Sequence, residues 1–215
     1  MQHHLHRSSS ISLLSGSFLV IVTMVLHPSG GSLQRIVDLS NMMITAHTLA
    51  IASLPLILFG FYGLSQKLSD KHKISQLALM IMGFGLIAAM FAALFNGLAL
   101  PYFLGQYADR LDQEANIIRP IANFSFSVNK GLDYIFIIAS CISILLYSGI
   151  IVAESKLPKW IGYFGITILL LSTLGLVTGF DFISLTGFRI FTFSLAGWIL
   201  FSGVSLARSK SESAS

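Results

Sequence analysis

Six stretches of this chain contain no Asp, Glu, Lys or Arg: residues 8–34, 39–66, 74–108, 134–153, 160–180 and 190–207. A helix needs about 20 residues, with a usual spread of about 17–25, to cross the hydrocarbon layer of a membrane. Every stretch meets that length. Backbone surrounded by lipid must satisfy its own hydrogen bonds, so each segment is expected to be helical. A transmembrane β-barrel would instead alternate apolar and polar residues over segments of about ten, and no such alternation occurs. Charged residues make up only 10% of the 215 residues, against about 25% in a water-soluble domain. That is too little to cover a water-facing surface, which argues against a disordered chain, a coiled coil and a nucleic-acid-binding domain. The expected fold class is all-α: a polytopic membrane protein with six transmembrane helices in a bundle.

The spans are expected at about 10–27, 43–66, 76–104, 127–153, 160–179 and 185–207. Tails cover 1–9 and 208–215, and the longer loops cover 28–42 and 105–126. The first segment has the outline of a secretory signal, but no small-x-small cleavage pattern precedes His27-Pro28-Ser29-Gly30-Gly31. An uncleaved first helix is therefore expected. Pro55 lacks a backbone donor and predicts a kink in the second span. Pro101 predicts an end or bend in the third. Leu33, Ile36, Val37 and Leu39 fall on one face of a short surface helix capped by Ser32. Gly175-x-x-x-Gly179, and Gly85 with Ala89 and Ala93, fit close approach between helices.

Lys and Arg counts set the orientation. Arg7, Lys67, Lys71, Lys73, Lys156, Lys159, Arg208 and Lys210 lie on one side, and Arg35, Arg110, Arg119, Lys130 and Arg189 on the other. With acidic residues included, the two sides carry net charges of +5 and −1. The basic side is expected in the cytoplasm, with both termini there and Trp160 anchoring at the interface. The single cysteine, Cys141, lies in an apolar run and has no partner for an intramolecular disulfide.

Polar groups at the ends of apolar spans are the best functional clue in such a chain. His27 closes the first span, His47 opens the second, and Asn96 lies eight residues before the end of the third. Lys130 and Asp133 open the fourth, Asp181 follows the fifth, and Arg189 lies near the start of the sixth. All six helices thus bring a polar group to one membrane depth, on the expected outer side. These seven residues are the candidate lining of an outer ligand pocket. Ordinary interfacial placement explains them too: Lys130 and Asp133 have the spacing of a helical ion pair, and Asp181 with Arg189 can close the short fifth-to-sixth turn. No metal site is assigned. The nearest candidate set is His27 and His47 with Asp133 or Asp181, but there is no HExxH motif. A membrane-spanning b-type cytochrome places its histidines inside its helices, often two on each of two, whereas only two histidines here approach the membrane, both from one side, so no cofactor is specified. Serines such as Ser53, Ser140, Ser143 and Ser194 are expected to bond back to the preceding turn. The Trp198 indole needs a hydroxyl or carbonyl partner inside the sixth span.

Leu157-Pro158-Lys159-Trp160-Ile161-Gly162 entering a span, with histidine-bearing outer ends on the early spans, resembles small uncharacterised bacterial multi-pass membrane proteins of the domain-of-unknown-function type. The resemblance implies six helices in a bacterial cytoplasmic membrane and no particular activity. The expected partners are membrane lipids and a small or lipidic ligand in the outer pocket, with self-association into a homo-oligomer left open and no nucleic acid. The favoured reading is a non-enzymatic bundle. The alternatives are a membrane enzyme with a His/Asp site at the outer face, and a small transporter or channel.

Overall fold

The computed structural model describes residues 2–28, 31–68 and 73–208. Lys71, Lys210 and the rest of the tail from 209 lie outside the described residues. The long helices are α1 (Gln2–Leu26), α3 (Ser40–Leu68), α4 (Ile74–Ala92), α6 (Ala115–Glu154), α7 (Lys159–Val177) and α8 (Leu185–Arg208). Two short helices, α2 (Leu33–Asp38) and α5 (Leu100–Gly105), lie at one end of the bundle. A π-helical segment, Ala93–Ala99, joins α4 to α5, so that Ile74–Gly105 forms one long span. No strand occurs among the described residues. Six helices are long and apolar enough to cross a membrane. The protein is an integral membrane helix bundle.

The helices pack as a ring in chain order: α1 on α3, α3 on α4, α4 on α6, α6 on α7, α7 on α8, and α8 back on α1. Small residues permit the tightest of these contacts. An added Cβ at Gly16 of α1 would lie 2.7 Å from Ile57 of α3. Gly60 and Gly63 of α3 leave room for Leu13 and Ser9 of α1 in the same interface. Gly85 sits 3.0 Å, by its missing Cβ, from Ala139 of α6. Leu13 is fully buried between α3 and α8, and Ser10 donates to the Gly203 carbonyl at 2.8 Å. Trp198 stacks on Phe61, and its indole N–H donates to the Ile161 carbonyl at 3.1 Å. Burying that ring without a partner for its N–H would be unfavourable, and the Ile161 carbonyl is within reach because Gly165, one turn further along α7, has no Cβ, which would lie 2.7 Å from the indole nitrogen.

The observed elements depart from the sequence reading in several places. α1 begins at Gln2, eight residues earlier than expected. Residues 115–126 are not a loop but the first three turns of α6, which runs for 40 residues through Pro120. At 1.5 Å per residue that is roughly 60 Å, about twice the hydrocarbon thickness. The extra turns fold because Ile118 and Ala122, one turn apart, bury themselves on Leu100, Leu104, Leu111, Ile36 and Met43. Helix α2 joins this small cap, with Ser32 accepting from the Arg35 amide at 3.3 Å as the capping pattern suggested. Pro101 does not end its helix. The backbone instead widens just before it, and the Leu100 amide reaches back five residues to the Phe95 carbonyl. α3 is likewise continuous through Pro55. Gly175-x-x-x-Gly179 is a helix terminus rather than a helix–helix contact: Gly179 has φ +82, and the Phe180 amide closes on the Gly175 carbonyl at 2.8 Å.

Candidate functional site

α1, α3, the α4 and π-helical span, α6 and α8 surround a cavity of about 290 Å³, and α7 contributes nothing to its wall. That volume is at the small end of the range for ligand sites, about 300–1,000 Å³. On α1 its lining runs from Ser17 to His27, roughly 15 Å along the helix axis. The cavity has two chemically distinct parts. Its body is walled by aliphatic and aromatic side chains, among them Leu54, Ile57, Leu86, Phe136, Leu195 and Ile199. Its head, at the end of the bundle that bears α2 and α5, is lined by His27, His47, Asn96, Asn129 and Asp133.

Each head residue is placed by a local feature. His27 follows the last turn of α1, and its ring Nδ1 lies 3.0 Å from the Pro28 carbonyl. His47 sits in the second turn of α3, with Nδ1 2.8 Å from the Met43 carbonyl. A carbonyl can only accept, so Nδ1 carries the proton in both rings, and Nε2 is the lone-pair acceptor of each neutral imidazole. The two rings lie 4.8 Å apart, tilted by 60°. Burial lowers the His27 pKa below its ordinary value; the Pro28 hydrogen bond opposes this, and the nearby Arg189 guanidinium adds to it. Burial thus favours the neutral, acceptor form of the His27 ring. His47 is 7% exposed because Gly97, which has no Cβ, lets the π-helical segment close over its ring.

Asn96 lies in that π-helical segment, and its Oδ1 is buried with no hydrogen-bond partner among the described residues. π-Helical turns inside α-helices often accompany functional sites, because the extra residue turns side chains in a direction a regular helix does not offer. Asp133 is 9% exposed, and its Oδ2 accepts from the Asn129 amide at 2.7 Å. Further down, Thr23 donates to the Ala46 carbonyl at 3.3 Å, whereas the hydroxyls of Ser17 and Thr192 have no partner among the described residues.

Of the seven residues singled out from the sequence, the structure brings His27, His47, Asn96 and Asp133 together around the cavity. Lys130, Asp181 and Arg189 are not part of the lining. Lys130 points outward and does not pair with Asp133, whose partner is Asn129 one turn earlier. Asp181 does not pair with Arg189. It is exposed and accepts from the Ile183 amide at 2.9 Å, which shapes the turn by itself. Arg189 instead donates from Nη2 to the His27 backbone carbonyl, tying α8 to the end of the neighbouring α1. Asn129 is the head residue that the sequence reading missed. Its signal was the Asn129/Asp133 spacing of four, which sets an amide donor beside a carboxylate. Serines also diverge from expectation: Ser53 and Ser194 bond back within their helices, but Ser143 crosses to the Ala78 carbonyl at 2.9 Å.

Among the described residues no three His, Cys, Asp or Glu side chains stand close enough to share a metal ion, so His27, His47 and Asp133 do not form the three-ligand set considered above. What the head offers is hydrogen bonding: two imidazole acceptors, an unpartnered amide and a carboxyl group. A second groove, between α7 and α8, is more open and is lined by apolar residues, serines and threonines without any ionisable group. Comparison with protein-family models, with curated proteins and with solved structures found no match.

Proposed function

We propose that this protein is a ligand-binding helix bundle of a bacterial cytoplasmic membrane, holding one small or lipidic molecule in the cavity bounded by His27, His47, Asn96 and Asp133. The excess of Lys and Arg in the short loops supports cytoplasmic termini, which would turn the polar head of the cavity to the extracytoplasmic side. Membrane lipids cover α7, whose outer half is exposed up to 79% at Val177.

The observation that carries this reading is the buried Asn96 Oδ1 with no partner among the described residues, set in a π-helical turn at the polar head of a cavity whose body is largely apolar. A buried polar atom left unpaired costs about 1–3 kcal/mol. A bound molecule that reaches it removes that penalty, and the cavity body supplies apolar contact for the rest of such a molecule. Nothing ionisable lies deeper than Asp133 along the cavity, which favours binding over a path for ions through one chain.

Native mass spectrometry of the protein released from membranes tests this. The expected result is a stoichiometric small adduct that is absent from the Ala50→Phe variant, in which a ring fills the cavity below His47. An adduct-free wild type, together with a Ala50→Phe variant that is indistinguishable from it in every ligand titration, would refute the reading.

A further inference from the structure

The head of the cavity is unbalanced. His27 and His47 spend their ring N–H groups on backbone carbonyls and retain Nε2 as an acceptor. Asn96 Oδ1 is an acceptor with no partner. Asp133 is buried, and its one hydrogen bond comes from a neutral amide. No ion pair involving Asp133 occurs among the described residues. Lys130, three residues before Asp133, is exposed, and Arg189 holds the His27 carbonyl. A carboxylate taken out of water without a cation is strongly disfavoured. The lining of the cavity therefore holds a buried carboxylate and unpartnered acceptors but no cation, at the mouth of a pocket whose body is largely apolar.

The geometry points to a lipophilic primary amine as the ligand class: an ammonium group among Asp133, Asn96 and the two imidazoles, with an alkyl chain along Leu54, Ile57 and Leu195. An ammonium carries three N–H donors and no acceptor, which matches the acceptors that the head leaves free, Asn96 Oδ1, the two imidazole Nε2 atoms and the Asp133 carboxylate. The inference rests on the cavity being a ligand site and adds the charge and donor character of what enters it. The same ammonium chemistry occurs on free alkylamines and on aminophospholipid headgroups.

Full-length protein in phosphatidylcholine nanodiscs is titrated with octylamine, octan-1-ol and octanoate, with bound molecules counted by native mass spectrometry. Octylamine is expected to bind one per chain, at least tenfold more tightly than octanol, with octanoate weakest. Asp133→Asn, nearly isosteric and able to keep the contact with Asn129, is expected to abolish the preference for amine over alcohol. Asp133→Glu is expected to retain the preference, which separates loss of charge from loss of fold. Lys130→Gln is expected to change nothing. Repeating the titration in phosphatidylethanolamine nanodiscs assigns the source: competition indicates a lipid headgroup, no competition a free amine. Equal binding of amine and alcohol, both blocked by Ala50→Phe, would overturn the amine class while leaving the cavity reading intact. No binding of any of the three that Ala50→Phe blocks would overturn both.

Discussion

The two ends of this bundle solve the same problem in opposite ways. At the end bearing Ser65 and Tyr147, polar groups meet each other: Ser65 Oγ lies 2.6 Å from the Tyr147 hydroxyl and donates to the Ser75 carbonyl at 2.8 Å, while Ser75 returns a bond to the Ser65 carbonyl at 3.2 Å. The orphans there include the hydroxyls of Ser9 and Ser148, small groups pressed against Gly63 and Gly165. Phe61, Tyr147 and Trp198 fill the space between the helices. At the end bearing His27, the helices part around a cavity, and the unpaired atoms include an amide oxygen and a guanidinium nitrogen, on Asn96 and Arg189. In a bilayer, close packing and interhelical hydrogen bonds stabilise a bundle, because lipid is as apolar as leucine. The Ser65 end is built for that stability. The His27 end leaves some of it unclaimed, as binding sites do.

Substitutions at the two ends should therefore differ in kind. Trp198→Ala at the packed end removes a fully buried ring and is expected to destabilise by about 3–5 kcal/mol, measured by denaturant unfolding in detergent. A loss under 1 kcal/mol would mean that this end is not the stable one. Tyr147→Phe removes only the hydroxyl facing Ser65 and is expected to cost about 1 kcal/mol. Asn96→Leu at the other end replaces an unpartnered amide by an apolar group of similar size. It is expected to be neutral or mildly stabilising, within about 1 kcal/mol, because no existing bond is broken. The same substitution should weaken octylamine binding. A strongly destabilised Asn96→Leu would show that the amide is structural and would erase the contrast between the ends.

The smallest expected effect is one of pH. His27 has a lowered pKa in the folded protein, chiefly through burial. Below the ordinary imidazole value, near 6.5, the unfolded chain takes up a proton that the folded chain resists, so stability falls as pH falls until the folded ring also protonates. His27→Gln is expected to flatten that part of a stability profile taken from pH 7 downward. An unchanged slope would remove His27 from the buried head.

The bundle was legible in the sequence because lipid imposes a simple rule: charge-free runs of sufficient length must be helices. The same rule hid the start of α6. Arg119 and Pro120 interrupt the apolar pattern, yet Ile118 and Ala122 still had a small cap to bury against. The depth of Asn96 could be read by counting from the end of its span, but the π-helical turn could not. That turn depends on Pro101 ahead of it and on Gly97 closing over His47, a residue fifty positions earlier. Arg189 was misassigned for a similar reason. Its partner is a backbone carbonyl 162 residues away, whereas the sequence offered the neighbouring Asp181. Gly175-x-x-x-Gly179 fits a packing motif by spacing alone, and only the positive φ of Gly179 shows that the helix stops there.

The proposed ligand site is entered from the extracytoplasmic side. Thiol labelling in intact cells tests it most directly. In a Cys141→Ala background, Ala93→Cys places the only thiol in the cavity wall one turn from Asn96, with every head residue kept. The account predicts modification by a membrane-impermeant maleimide added outside, and protection from it by octylamine. Labelling that requires cell lysis, or that proceeds at the same rate with the amine present, would contradict it.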